Sequence, residues 1–300
     1  MEELKSNFNK YPYPVQLILL FVIFGFCFFG GQLLAGGIMV AAYGLAVIDI
    51  KNLLTEAVNL HPLRFAQMIT TLVVFLLPAM LFSKLTTNDY FDYPKKKSYN
   101  KQLLFLIPLL IISFYPLLSV VFEINKNSFF ADWLVSQQEE YKLLIENLLS
   151  GTSVSTFLIN FLMIAILPAI AEEWFFRGTL QEFLSKKANI HFAIIWSAIV
   201  FSLIHFEFSG FLPRIALGVL LGYIYYFSGN IWLAVLAHLF NNGMEVLGVY
   251  LGNIGVISKD LTGDPTMPSA VIIITSTIAF AVLMMLFYKI GNKKSTTFVS

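Results

Sequence analysis

The chain has 300 residues, of which 58% are hydrophobic and 12% charged, with a formal net charge of +1. A soluble domain carries about a quarter charged residues, so half that density excludes an ordinary soluble fold. The near-neutral balance leaves no basic footprint for nucleic acid.

Met1 to Lys10 is polar, and a long apolar run follows from Val15 to Ile48. A signal-peptide core is shorter and ends in a small-residue cleavage site, so this run reads as a retained span. Gly25, Gly30, Gly31, Gly36 and Gly37 within it mark a tilt, a bend or close packing. Cys27, also in this run, is the single cysteine and cannot form an internal disulfide.

A bilayer core asks for about 20 apolar residues per helix. Eight segments read as spans, near 15–48, 64–83, 102–122, 153–184, 190–208, 212–227, 231–250 and 269–288. The expected fold class is all-α, a polytopic membrane helical bundle of about eight transmembrane helices. Between the third and fourth spans, Ala131 to Leu149 reads as an amphipathic helix. Trp133, Leu134, Tyr141, Leu144, Ile145 and Leu148 form its apolar side, while Glu139, Glu140, Lys142 and Glu146 forbid spanning. It is expected on the membrane surface. Residues 1–150 thus read as N-terminal transmembrane helices with a surface amphipathic helix, and 151–300 as a second membrane core, which holds the polar residues taken up below.

Lys and Arg near span ends set orientation. With the N-terminus inside, thirteen fall inside (Lys5, Lys10, Lys84, Lys95, Lys96, Lys97, Lys101, Arg177, Lys186, Lys187, Lys289, Lys293, Lys294) and six outside (Lys51, Arg64, Lys126, Lys142, Arg214, Lys259). The expectation is an integral protein of the cell membrane with both termini cytoplasmic.

Ionisable residues inside spans cost about 2.5–3.5 kcal/mol each on insertion scales and need a reason. Glu172, Glu173 and Arg177 fall in the fourth span, His205 in the fifth, and His238 and Asn242 in the seventh. At about 1.5 Å per residue, Glu172 lies roughly 21 Å from the Lys186/Lys187 turn, and His205 about as far from His191. His238 and Asn242 lie roughly 10–18 Å from the Gly229-Asn230 turn, so the three helices carry polar groups at overlapping depths. Glu173 and Arg177, four apart, share a face and can pair, whereas Glu172 is turned about 100° away. Singly, each has a bland reading: a structural ion pair, a packed histidine, an asparagine bonding two helices. Glu207 and Glu245 read as accessory or solvated, His61 and His191 as bland, and Gly218/Gly222 as a small-xxx-small packing pair.

A carboxylate withdrawn from water is a stronger base than a solvated one and can deprotonate a water held against a histidine. His238 and Asn242 are suitable oxyanion donors. Peptide hydrolysis by activated water is the resulting expectation. Cys27 has no positioned base, no serine sits in a nucleophile context, and no HExxH zinc signature occurs. Two histidines with Glu172 remain a possible zinc set, namely Glu172, His205 and His238. No phosphate-binding loop indicates a soluble cofactor.

The three motifs, Glu172-Glu173-xxx-Arg177, Phe201-xxx-His205 and His238-xxx-Asn242, resemble the signature of the CPBP family. These are the type II CAAX prenyl endopeptidases and their bacterial relatives, also called Abi proteins. Phe176-Arg177-Gly178 and the Gly218/Gly222, Trp232, His238 spacing are similar too. The resemblance covers roughly residues 155–250, about a third of the chain. It implies an intramembrane endopeptidase acting on a membrane protein or lipidated peptide in the lipid bilayer. In it Glu172 activates water with help from His205, and His238 and Asn242 stabilise the oxyanion. Glu173 and Arg177 hold the site or contact substrate. Such proteins are described both as metalloproteases and as metal-independent glutamate proteases, and bacterial members also as self-immunity factors or scaffolds. A proton-coupled transporter is the remaining alternative, weakened by the lack of a two-half repeat.

Overall fold

The computed structural model describes residues 11–44, 60–87, 89–90, 92, 94, 96–126, 139–258 and 266–292. Among these the chain is helical, apart from one isolated bridge between Lys96 and Asn230. The helices are α1 Tyr13–Tyr43, α2 His61–Thr87, α3 Gln102–Lys126, α4 Glu139–Leu149, α5 Val154–Ser185, α6 Ile190–Ile204, α7 Phe211–Ser228, α8 Ile231–Asn253 and α9 Ala270–Asn292. All but α4 coincide with the eight segments read as spans. By length and composition, six can cross a membrane: α1, α2, α3, α5, α7 and α9. The two others show why the sequence count of eight runs higher. α6 stops after 15 residues at Ile204, and α8 is diluted by His238, Asn241, Asn242 and Glu245.

Two of the long helices are not uniformly wound. α2 widens into a π-turn at Leu72–Leu76, before Pro78, and α5 does so at Phe161–Ile166, before Pro168. Proline has no N–H and its ring crowds the carbonyl four residues back, so a widened turn beside it relieves the clash. A second π segment in α5, Trp174–Gln181, is buried along its whole length.

Lipid is as apolar as leucine, so close packing rather than water exclusion holds such helices together. Aromatic rings supply much of it. Phe24 meets Phe175 at 4.9 Å, Phe176 meets Phe201 edge-on at 4.9 Å, and Phe82 meets Phe183 edge-on at 5.3 Å. Each such pair adds about 0.5–1.5 kcal/mol beyond the area it buries. Between α6 and α7 the approach is closer still. A Cβ on Gly218 would fall 2.9 Å from Ala198 Cβ, and one on Gly222 would fall 2.8 Å from Ile194. The small-xxx-small pair is thus a packing device.

Hydrogen bonds between segments distant in the chain tie each end of the bundle. At one end Tyr13 stacks on Phe183 and donates its hydroxyl to the Phe183 carbonyl. There too the Lys97 N–H donates to the Gly229 carbonyl, and Asn230 Nδ2 to the Lys97 carbonyl. At the other end Asn125 donates to the carbonyls of Phe208 and Ser209 and accepts from the Leu212 N–H.

The amphipathic stretch expected from Ala131 is described only from Glu139, so residues 131–138 lie outside the described residues. What is described is docked on the bundle, with Leu144, Leu148 and Leu149 buried. A helix leaves its last carbonyls unbonded. Here Arg64 Nη2 takes the Leu148 carbonyl at 2.6 Å and Asn253 Nδ2 takes that of Leu149 at 2.8 Å. Arg64 also donates to Asn160, and it is buried.

Candidate active site

Helices α5, α6 and α8 bring the polar groups of the three motifs together. Glu173, fully buried on α5, accepts at Oε1 from Arg177 Nη1 at 2.7 Å and faces His238 Nδ1 of α8 at 2.8 Å. Beside Arg177 the carboxylate is an acceptor, so His238 donates at Nδ1 and turns Nε2 the other way. Nε2 then points toward Glu172 Oε2, 3.9 Å distant. Across from it, His205 Nε2 stands 3.9 Å from the same oxygen. His205 Nδ1 is 2.6 Å from the Phe201 carbonyl, which can only accept, so in the neutral ring Nε2 carries the lone pair.

Exposure grades through the site. Side-chain exposure is 3% at His238, 8% at Glu172 and 29% at His205, so His205 is the outermost member. It does not lie within a helix, as its span suggested. α6 ends at Ile204, His205 is its C-cap, and Phe206 takes a left-handed conformation at φ 52°. A non-glycine residue there costs about 1–2 kcal/mol. The reversal swings Glu207 back to Arg214, with which it pairs, while Ser209 Oγ donates to Glu207 Oε1 at 2.7 Å. Sequence reasoning missed this pair, because at seven residues apart the two would lie about 10 Å from each other on a continuous helix, and only the turn between them brings them together.

Phe201, between the motif histidines, packs edge-on to both rings, and the Arg177 guanidinium lies 4.9 Å over its face. Arg177 also donates from Nη2 to the Gly218 carbonyl at 3.0 Å. One turn on, Gln181 repeats the contact, donating to the Gly222 carbonyl at 3.2 Å. Gln181 was not singled out in the sequence; its spacing of four from Arg177, matching that of Gly218 and Gly222, was the available signal.

Asn242 is occupied differently from the simple donor expected. Pro168 has no N–H to offer the Ile164 carbonyl four residues before it, and Asn242 Nδ2 donates to that carbonyl at 3.0 Å. Its Oδ1 accepts from Asn241 Nδ2 at 3.1 Å. One amide hydrogen is thereby committed to the scaffold and the second is left.

The possible zinc set, Glu172, His205 and His238, does not close on an ion. Each histidine nitrogen lies 3.9 Å from Glu172 Oε2, against the about 3.3 Å that bonds of 2.0–2.1 Å span at a tetrahedral zinc. Among the described residues no three His, Cys, Asp or Glu side chains are spaced to hold a metal.

Glu172, His205, His238 and Asn242 line one cavity of about 750 Å³, which α4 borders through Leu144, Ile145 and Leu148. This size suits a ligand.

Residues 154–244 match the family described as "Rce1-like: Type II CAAX prenyl endopeptidase Rce1-like". A Bacillus subtilis (strain 168) protein named "Putative membrane peptidase YdiL" is 30% identical over 83 residues. These cover 28% of this chain and 34% of that protein, so the chain spans about a third of this relative's length. No solved structure matches the chain. The matched stretch contains every residue of the cluster around Glu172, and by it this integral membrane protein is similar to the Rce1-like type II CAAX prenyl endopeptidases.

Proposed function

We propose that this protein is an intramembrane endopeptidase that hydrolyses a peptide bond of a membrane-associated or lipidated substrate with water activated at Glu172. The observation that carries the reading is the convergence of two histidine Nε2 atoms on Glu172 Oε2, each 3.9 Å away. That gap is too long for a direct hydrogen bond and suits one bridging water. Glu172 has no hydrogen-bond partner of its own among the described residues, whereas Oε1 of its neighbour Glu173 is taken by Arg177 and His238.

In this reading a water held between Glu172 and His205 attacks the scissile carbonyl carbon and gives its proton to Glu172. The oxygen of the tetrahedral intermediate is met by the free amide hydrogen of Asn242 and by His238. For Nε2 of His238 to donate, the ring must carry both protons, and the Glu173 carboxylate on Nδ1 is the countercharge that permits it. Glu172 then passes its proton to the leaving nitrogen, and the carbon–nitrogen bond breaks. Glu173 and Arg177 are positioning residues.

The test is cleavage of a quenched peptide panel, including a farnesylated CAAX peptide, by purified protein. Glu172→Gln should lower turnover by about 10²–10⁴-fold, the usual worth of a general base. Undiminished cleavage by Glu172→Gln would sink the mechanism.

A further inference from the structure

α8 presents an acid of its own to the same cavity, Glu245. His238, Asn241, Asn242 and Glu245 stand at positions i, i+3, i+4 and i+7, the spacing of one helix face, and all four line the cavity. Glu245 is exposed and has no hydrogen-bond or ion-pair partner among the described residues. The charged groups acting on it are Glu207 and Arg214, and these two are paired with each other. Arg214 is further held by the Glu207 backbone carbonyl. The local cation is therefore already committed.

Independently, Glu172 shows that this cavity is built for an occupant: its side chain is more than nine-tenths buried, lines the same space, and has no hydrogen-bond partner among the described residues, the two histidines standing off at 3.9 Å. Seven residues along α8 separate Glu245 from His238, about 10 Å. An extended peptide advances about 3.3 Å per residue, so three residues cover that distance.

We infer that Glu245 forms a subsite for a basic side chain, Lys or Arg, about three residues from the scissile bond of the substrate. The register rests on the hydrolase reading above; the preference for a cation does not. While the cavity holds water, the Glu245 carboxylate is hydrated. A peptide that fills the apolar space between Leu118, Phe122, Leu144 and Met244 displaces that water. The carboxylate then loses its hydration, and only a cationic partner restores the loss through a charge-assisted bond. An acidic side chain at the same place adds repulsion.

The test is binding without turnover. Glu172→Gln protein in detergent micelles is titrated into two fluorescein-labelled ten-residue Ala/Leu peptides, one with a central Lys and one with a central Glu, and followed by anisotropy at low salt. The Lys peptide should bind about tenfold more tightly. Adding Glu245→Gln, an isosteric change, should erase the difference, and Glu245→Lys should invert it. Equal affinities in the Glu172→Gln protein, binding of neither peptide, or a preference that survives both Glu245 changes would overturn the inference. The hydrolase reading stands or falls separately, on whether Glu172→Gln loses the cleavage that the unaltered protein performs.

Discussion

Asn242 bonds the carbonyl of Ile164, the group that Pro168 leaves without a helical donor. A proline in α5 and a motif asparagine three helices later in the chain are thus one arrangement. Its consequence can be separated by a double substitution. Asn242→Ala should lose about 1 kcal/mol by leaving a half-buried carbonyl unpaired. Adding Pro168→Ala returns an N–H to that carbonyl and should recover the melting temperature in detergent, while cleavage stays low. Recovery of both would reduce Asn242 to a scaffold residue.

The Glu173–Arg177 pair is buried on both sides, at 0% and 1% side-chain exposure. Breaking such a pair costs about 3–5 kcal/mol, because a charge is left alone. Arg177→Met should therefore lower the melting temperature strongly, and Glu173→Gln with Arg177→Met should regain much of it. Because Glu173 also holds His238, the double variant should remain poor in turnover. Thermal melts and peptide cleavage on the same preparations read the two effects apart.

Glycines of this chain divide by what surrounds them. Gly218→Ala places a Cβ 2.9 Å from Ala198 Cβ and 3.1 Å from its Cα, so α6 and α7 must part, at about 1–3 kcal/mol. Gly30 has nothing within 4 Å of such an atom, and Gly30→Ala should leave the melting temperature unchanged. A comparable loss in both would mean that the α6–α7 contact is not what Gly218 serves.

Much of this was legible in the sequence, and what was not has identifiable causes. Charge in apolar runs is costly and therefore conspicuous, which is why Glu172, Glu173, Arg177, His205, His238 and Asn242 stand out in an unaligned chain. The i,i+4 step of Glu173 and Arg177 is local and survives even in a π-wound segment. His205 was placed inside a helix because hydropathy does not register a left-handed residue at Phe206. The docking of α4 through Arg64 and Asn253 depends on residues far apart in the chain, for which no local pattern exists.

Phe206 holds a strained backbone at the point where His205 is aimed. Phe206→Gly should relieve the strain and raise the melting temperature by an amount equivalent to about 1 kcal/mol, while freeing His205 and lowering turnover. A variant more stable and equally active would show that the turn does not serve the chemistry.

Chelators address the donor spacing. With each histidine nitrogen 3.9 Å from Glu172 Oε2, cleavage should be unaffected by prolonged treatment with EDTA or phenanthroline. Activity lost on chelation and restored by zinc would require the three side chains to close by about 0.6 Å onto a metal.

The paired contacts of Arg177 with Gly218 and of Gln181 with Gly222 work as two pins at equal pitch. A slip of α5 along α7 by one turn would seat one pin and strand the other, so a single alignment satisfies both. α7 passes into α8 through Gly229, left-handed at φ 61°, and Asn230, whose side chain caps the Trp232 N–H. With so short a hinge, whatever holds α7 lengthwise also holds α8. The meeting of Glu173 with His238 is therefore gauged from a distance, by two amide carbonyls that take no part in it.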